Sequence, residues 1–469
     1  MCDVLVIVGP GVAVDAGLLG EIARREFAVL GVRGRIVRAR DAAHLRSLMR
    51  EEAVVVVVPA PGEEASAMIT QPPGTGVVVP VDLDRVEGAR HIHGRGIAGL
   101  AWGIRHAVHR ARHPDVRRIA YGPSPEQWGD LYLPESQGEV PVVALIHGGY
   151  WRSIWAADLM EALCADLAGR GFAVWNLEYR RPDLHGWAAT RQDIAAGLSA
   201  LERIGPAPAP GPVTAAGRPA RPDASPARAS GSAHASGSAH ASGSAHASGS
   251  ARASGSARAS GSARASGSAR GQEAAIVPGA AGASGQGAVR GPVLDLDRVA
   301  VAGHSAGAQL ALRAVADGAR VALAVSLAGV LDLVEADRRW LSHGAVAAVL
   351  GDAYSGTRDA KPGTRDARPG ARDGGSGAAG GDPAEELPGG ELYASSPLHR
   401  LPLGVPQLVV QGRADDVNLV DFSRRYTAAA RRAGDDVTYL ELPGDHQDVI
   451  TPGTPIWQAT AQAITAAFA

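Results

Sequence analysis

Apolar positions recur along the first 115 residues at two alternating periods. Apolar runs at 4–8, 54–58 and 76–81 have the length of buried strands, and 34–38 is predicted as a short strand. Between and after them, 16–30, 42–50 and 97–109 space their apolar residues three and four apart, as amphipathic helices do. Strand–helix alternation with continuous apolar strands predicts a parallel sheet covered on both faces. The same pattern returns later, with strands predicted at 142–146, 299–302, 407–410 and 439–442 and a helix over 308–315.

Two stretches carry neither period. Residues 205–291 contain seven copies of Ala-Ser-Gly-Ser-Ala-(His/Arg) between 229 and 270, and 355–390 contains GTRDAKP at 356–362 followed by GTRDARP at 363–369. Neither can bury enough apolar surface to order itself, so both are expected to be disordered insertions. They explain why a chain of 469 residues with 45% hydrophobic residues has only 4% aromatics. The expected organisation is therefore α/β: a flavodoxin-like parallel-sheet domain at 1–115, then a larger α/β domain at 119–469 that both insertions interrupt. His234, His240 and His246 stand six apart in the first insertion and are read as free side chains of a repeat, not as metal ligands.

A formal charge of −2 gives no basic footprint for nucleic acid. Cys2 and Cys164 cannot form a disulfide framework, and no Cys/His set has zinc-site spacing, which fits a reducing cytoplasm. The apolar run at 4–8 lacks a basic leader and is too short for a signal peptide, and no run approaches a membrane span of about 18 residues.

The candidate chemistry lies in the larger domain. Strand 142–146 runs into His147-Gly148-Gly149-Tyr150-Trp151, where glycines after a strand let backbone N–H groups turn inward, as an oxyanion hole requires. Strand 299–302 ends in Gly303-His304-Ser305-Ala306-Gly307 and a helix follows, the strand–turn–helix context of a G-x-S-x-G nucleophile elbow. An acid and a histidine should then follow in order. Asp415 comes after strand 407–410 in Gly412-Arg413-Ala414-Asp415-Asp416, with Asp416 the alternative acid, and His446 comes after strand 439–442. His446, oriented by Asp415, would accept the Ser305 proton as Ser305 attacks a carbonyl carbon, and the N–H groups of Ala306 and of the Gly148–Gly149–Tyr150 turn would hold the oxyanion. This chemistry calls for no cofactor and no metal.

On these residues, together with Tyr121-Gly122, Asp130 to Pro134, Tyr179-Arg180, Ser396-Pro397 and HQDVITP at 446–452, the domain resembles the α/β-hydrolase superfamily in its arylformamidase (kynurenine formamidase-like) and carboxylesterase branch. The resemblance covers about 119–204, 292–354 and 391–469. It implies hydrolysis of a small acyl ester or aryl formamide, with Tyr150, Trp151 and Trp155 as candidates to line an aromatic-friendly pocket.

Residues 3–112 resemble type II 3-dehydroquinate dehydratase through Gly9-Pro10 after the first strand, the 21–49 segment and Gly96 to Leu100 before the last helix. That family's chemistry needs a lid tyrosine, asparagines and a late-strand histidine. Here no tyrosine precedes Tyr121, no asparagine precedes Asn176, and Asp82 occupies the late-strand position. The domain is accordingly expected to be non-catalytic, serving packing, homo-oligomerisation or the binding of a small anion. Gly9-Pro10-Gly11 lacks the third glycine of a dinucleotide fingerprint because position 14 is Val, and His91 and His93, near a turn, are read as surface residues and not as a metal site. The rival functions are surviving lyase activity in the N-terminal domain and a non-catalytic scaffold.

Overall fold

The computed structural model of the chain describes residues 3–59, 67–68, 70, 76–82, 84–86, 91–204, 291–354 and 390–469. The expected insertions, with His234, His240 and His246, lie outside the described residues except for Gly291 and Gly390.

The N-terminal sheet is built from β1 (Asp3–Val8), β2 (Arg33–Arg38), β3 (Val54–Val58), β4 (Val77–Asp82) and β5 (Ile92–His93). Its order is β2-β1-β3-β4-β5 and every pairing is parallel. Alternate side chains of the two central strands serve opposite cores. Val4, Val6, Val54 and Val56 face α1 (Ala16–Leu30) and α3 (Ala98–Arg112), whereas Leu5, Ile7, Val55 and Val57 face α2 (Ala42–Glu51). This two-sided burial is why the runs are unbroken valine and isoleucine. Helix α1 starts where Asp15 accepts a bond from the Leu18 N–H and stops at Gly31, whose φ of 62° closes a left-handed cap.

The second sheet has eight strands in the order β13-β12-β11-β10-β8-β9-β7-β6. Strands β6 (Arg117–Ala120) and β7 (Trp128–Tyr132) form an antiparallel edge. The others, β8 (Glu139–Ile146), β9 (Ala173–Leu177), β10 (Val293–His304), β11 (Leu323–Leu327), β12 (Gln407–Gly412) and β13 (Val437–Leu442), pair in parallel. Strand β10 is much longer than the expected 299–302, because Val293–Asp295 continues the pairing with β8 across an irregularity before Val299. One face packs on α5 (Trp187–Ser199), α6 (Ala306–Ala316) and α7 (Val417–Ala433), and the other on α4 (Glu161–Gly169) and α8 (Pro455–Ala467). Both sheets are of the α/β class expected from the sequence.

The two sheets belong to one compact unit. Arg95, just before α3, donates two hydrogen bonds to the Asp158 carboxylate (2.6 and 2.8 Å) and one to the Ile154 carbonyl (2.6 Å). Trp102 meets Trp155 edge-on at 5.9 Å, and His109 Nε2 lies 3.0 Å from the Tyr132 hydroxyl. The Arg95 and Asp158 side chains are 2% and 7% exposed. Burial alone would raise the Asp158 pKa, but the charge and hydrogen bonds of Arg95 override it and hold the carboxyl below its ordinary value. Removing one partner leaves the other as an unpaired buried charge, so Arg95→Ala should lower the unfolding free energy by about 3–5 kcal/mol, read as a drop in the urea midpoint. Replacing both, as Arg95→Met with Asp158→Leu, should recover most of that loss. A single variant with an unchanged midpoint would contradict this account of the junction.

Candidate active site

Ser305 occupies the sharp turn between β10 and α6 with φ 56° and ψ −119°, a conformation unfavourable for any residue with a Cβ. Its neighbours make room for that turn. A Cβ on Gly303 would lie 2.1 Å from the Gly307 carbonyl oxygen, and one on Gly307 would lie 2.2 Å from the Ile146 carbonyl oxygen. No side chain fits at either position, so the two flanking glycines are steric requirements of the turn. The Ser305 N–H donates to the Leu327 carbonyl (2.9 Å), and its own carbonyl accepts from Ala308 and Val330, which anchors the turn to β11 and α6.

The loop after β8 passes directly over this turn. A Cβ on Gly148 would sit 2.5 Å from the His304 carbonyl oxygen and 2.9 Å from the Ser305 Cβ. Gly149, Tyr150 and Trp151 all have positive φ, at 108°, 54° and 55°. Among the described residues, no hydrogen-bond acceptor meets the N–H of Gly149, Tyr150 or Ala306. The loop is held from below by His147, which stacks on Tyr179 at 4.5 Å and places Nε2 3.3 Å from Glu178. Glu178 in turn accepts from the Ala157 N–H (2.9 Å) and pairs with Arg181.

Asp415 and His446 come from loops at the ends of β12 and β13, which press backbone on backbone. The Ala414 N–H donates to the Gly444 carbonyl (2.9 Å), and a Cβ on Gly412 would lie 2.4 Å from that same oxygen. His446 Nδ1 is 2.9 Å from Asp415 Oδ2. A carboxylate can only accept, so Nδ1 carries the proton and Nε2 is left as the basic nitrogen. Asp415, with its side chain 2% exposed, also accepts from Gln411 Nε2 (2.8 Å) and from the Asp416 N–H (2.7 Å). Asp416 instead caps α7 through the Asn418 N–H (2.8 Å), so the alternative acid has a separate structural task. The His446 ring lies 4.6 Å from that of His304, and His304 Nε2 is 3.0 Å from the His446 carbonyl oxygen, which sets the histidine loop beside the Ser305 turn. No hydrogen bond joins Ser305 Oγ to His446 among the described residues.

Of the two tryptophans expected at a pocket, one lies in the core and the other packs against the glycine turn. Trp151 is a correction: it is only 2% exposed and points into the core, donating to Gln309 Oε1 of α6 at 3.0 Å, because the positive φ at Tyr150 and Trp151 turns the side chain inward. Trp155 lies under Gly149, where a Cβ would meet it at 2.3 Å, with the Arg95 guanidinium over its ring at 4.5 Å. Tyr150 remains exposed. Gln411 and His304 were missed in sequence reading. A lone glutamine closing an otherwise apolar strand was the one available signal for Gln411. Among the described residues, no cluster of His, Cys, Asp and Glu is arranged to hold a metal ion, and no helix is long and apolar enough to cross a membrane.

Burial holds His147 and His304 neutral, lowering each pKa to about 3, with Arg181 adding to the effect at His147 and His446 at His304. The unfolded chain protonates these rings below about pH 6.5, whereas the folded chain does not until about pH 3. Stability is therefore unaffected above that range and is lost as pH falls through it, by about 1.4 kcal/mol per pH unit for each proton taken up on unfolding. His304→Gln should remove one proton from that slope between pH 6 and about 4 in urea titrations. Equal slopes in both proteins would contradict a neutral buried His304.

A family model described as BD-FAE matches residues 130–203. Among solved structures, the chain is similar to a bacterial heroin esterase at 18% identity, covering 75% of this chain and 83% of that one with a TM-score of 0.43. Esterase B from Lactobacillus rhamnosis is similar at 15% identity, over 78% and 92% of the two chains, with a TM-score of 0.45. A thermophilic esterase from the Planctomycetes species Thermogutta terrifontis, with propionate bound, is similar at 14% identity over 75% and 93%, with a TM-score of 0.42. No curated protein matches the chain.

Proposed function

We propose that the chain is a serine hydrolase that cleaves small carboxylic esters or aryl formamides through an acyl-enzyme. The observation that carries this reading is the Asp415–His446 hydrogen bond beside a strained serine turn, with N–H groups free of acceptors on two sides of that turn. The match of 130–203 to the BD-FAE family model is consistent with it.

In this mechanism Ser305 Oγ attacks the carbonyl carbon while His446 Nε2 takes its proton. The resulting imidazolium is stabilised by Asp415, whose carboxylate is itself fixed by Gln411 and the Asp416 N–H. The negative charge that develops on the carbonyl oxygen falls to the N–H groups of Ala306 and of Gly149 or Tyr150, preset by the backbone so that no reorganisation is needed. His446 then protonates the leaving alcohol or amine. A water molecule, deprotonated by the same nitrogen, releases the acyl or formyl group from Ser305. The N-terminal sheet supplies no reacting group here; its Arg95 and Trp102 support Ile154, Trp155 and Asp158, which follow the Gly149 turn.

Turnover of a short-chain aryl ester and of N-formylkynurenine by the full chain tests the reading and separates its two substrate classes. Ser305→Ala should lower kcat on the accepted substrate by at least about 10³-fold, and Asp415→Asn by about 10⁴-fold through the wrong histidine tautomer. Asp416→Asn should leave kcat within a few-fold of wild type. Full turnover by Ser305→Ala would overturn the proposal.

A further inference from the structure

The turn that would bring the Gly149 and Tyr150 N–H groups to an oxyanion is built against the preferences of its own residues. The Arg152 N–H donates to the Gly149 carbonyl (3.0 Å), and the two residues between them, Tyr150 and Trp151, have φ of 54° and 55°. Positive φ at both central positions belongs to a type I′ turn, where asparagine and glycine are favoured and large aromatic residues are not. The local sequence does not hold this turn, so a contact from outside it must.

The buried indole of Trp151 makes that contact. Its N–H donates to Gln309 Oε1 (3.0 Å), and Gln309 stands on α6 one turn after Ser305, with its backbone N–H 3.4 Å from the Ser305 carbonyl oxygen. The Gln309 side chain is fully buried and its amide is used at both ends, since Nε2 donates to the Ser395 carbonyl (2.7 Å). An indole N–H can only donate and a carbonyl can only accept, so the position calls for a group that accepts on one side and donates on the other. The Ser395 end is itself fixed. Ser395 Oγ donates to Glu391 Oε1 (2.7 Å), which also pairs with Arg313 of α6 (2.6 Å) and accepts from Trp187 Nε1 of α5 (2.7 Å).

We propose that Gln309 is a positioning residue for the oxyanion hole, an inference that rests on the hydrolytic reading of Ser305. Through Trp151 it ties the turn after β8 to the helix that begins at Ala306, and so sets the spacing between the Gly149 and Tyr150 N–H groups on one side and the Ala306 N–H on the other. Gln309 is buried, so it acts through Trp151 and not by contact with substrate. Preset donors lower the barrier only when they are aimed at the charge that develops in the transition state. Loosening them should therefore cost kcat and leave KM nearly as it was.

Steady-state kinetics of the full chain on the substrate it accepts, a short-chain aryl ester or N-formylkynurenine, test this with Ser305→Ala run alongside. Gln309→Leu should lower kcat about 10- to 100-fold with KM within about threefold of wild type. Trp151→Phe, which removes the indole N–H, should lower kcat in the same way. The double variant should fall no further than Gln309→Leu alone, because both changes remove the same bond. Inhibition by an aryl trifluoromethyl ketone, whose bound oxyanion would take the same N–H groups, should weaken in proportion to kcat/KM. Wild-type kcat and ketone affinity in Gln309→Leu, or a loss carried by KM alone, would overturn the positioning role and leave the hydrolytic reading standing if Ser305→Ala is inactive. Should Gln309→Leu fail to fold, the same two measurements on Trp151→Phe decide the matter in the same way. Turnover that survives Ser305→Ala, or none in the wild type, would overturn both.

Discussion

The constraint on which the candidate site depends is the contact between three backbones at the Ser305 turn. β10 must stop, reverse and enter α6 within a few residues, while β8 runs alongside close enough that Gly307 touches the Ile146 carbonyl and Gly148 touches that of His304. Such packing forces Ser305 into a region of φ and ψ that costs of the order of 1–3 kcal/mol. The cost is met by what surrounds it: the C-terminal halves of β8 and β10 are buried on both faces, and α6 is buried along most of its length. The strain is thus a product of the sheet.

The other groups follow from the same geometry. Parallel strands deliver their C-terminal ends to one edge, so the loops after β8, β10, β12 and β13 meet there without long excursions. The Gly412 and Gly444 backbones lock two of those loops together, which makes the Asp415–His446 distance a property of the scaffold and not of flexible side chains. The glycine turn after β8 is fixed from within by the His147–Glu178–Arg181 set and from outside by Trp155, which Arg95, just before α3, and Trp102 of α3 cover. In the proposed mechanism that turn carries the developing charge, so the first sheet bears on the chemistry through support alone.

Much of this was legible in the sequence wherever burial is two-sided or a cap is explicit. The bounds of α1 follow from Asp15 and Gly31, and the valine runs of β1 and β3 show their place at the centre of a sheet. The edge strands β6 and β7 went unread because RRIA and WGDLY mix charge with apolar residues, as a half-solvated antiparallel edge allows. Strands β9 (AVWNL) and β11 (LAVSL) are short, fully buried and not among the strands predicted. At the candidate site, the motifs set a serine, an acid and a histidine in that order along the chain, and Asp416, not Asp415, is the one that caps α7. The direction of Trp151 was not legible at all, since it hangs on two positive φ angles within a glycine turn. Nor was the Arg95–Asp158 pair, because nothing local distinguishes either residue from a solvated surface charge.

In the proposed mechanism Ser305 is the nucleophile, and covalent mapping tests that role. The full chain would be reacted with a fluorophosphonate until ester turnover is lost, then digested and sequenced by mass spectrometry. The account predicts one phosphonyl group per chain, on Ser305, in proportion to the turnover lost. An adduct on another residue when activity has gone, or full turnover with Ser305 completely modified, would contradict it.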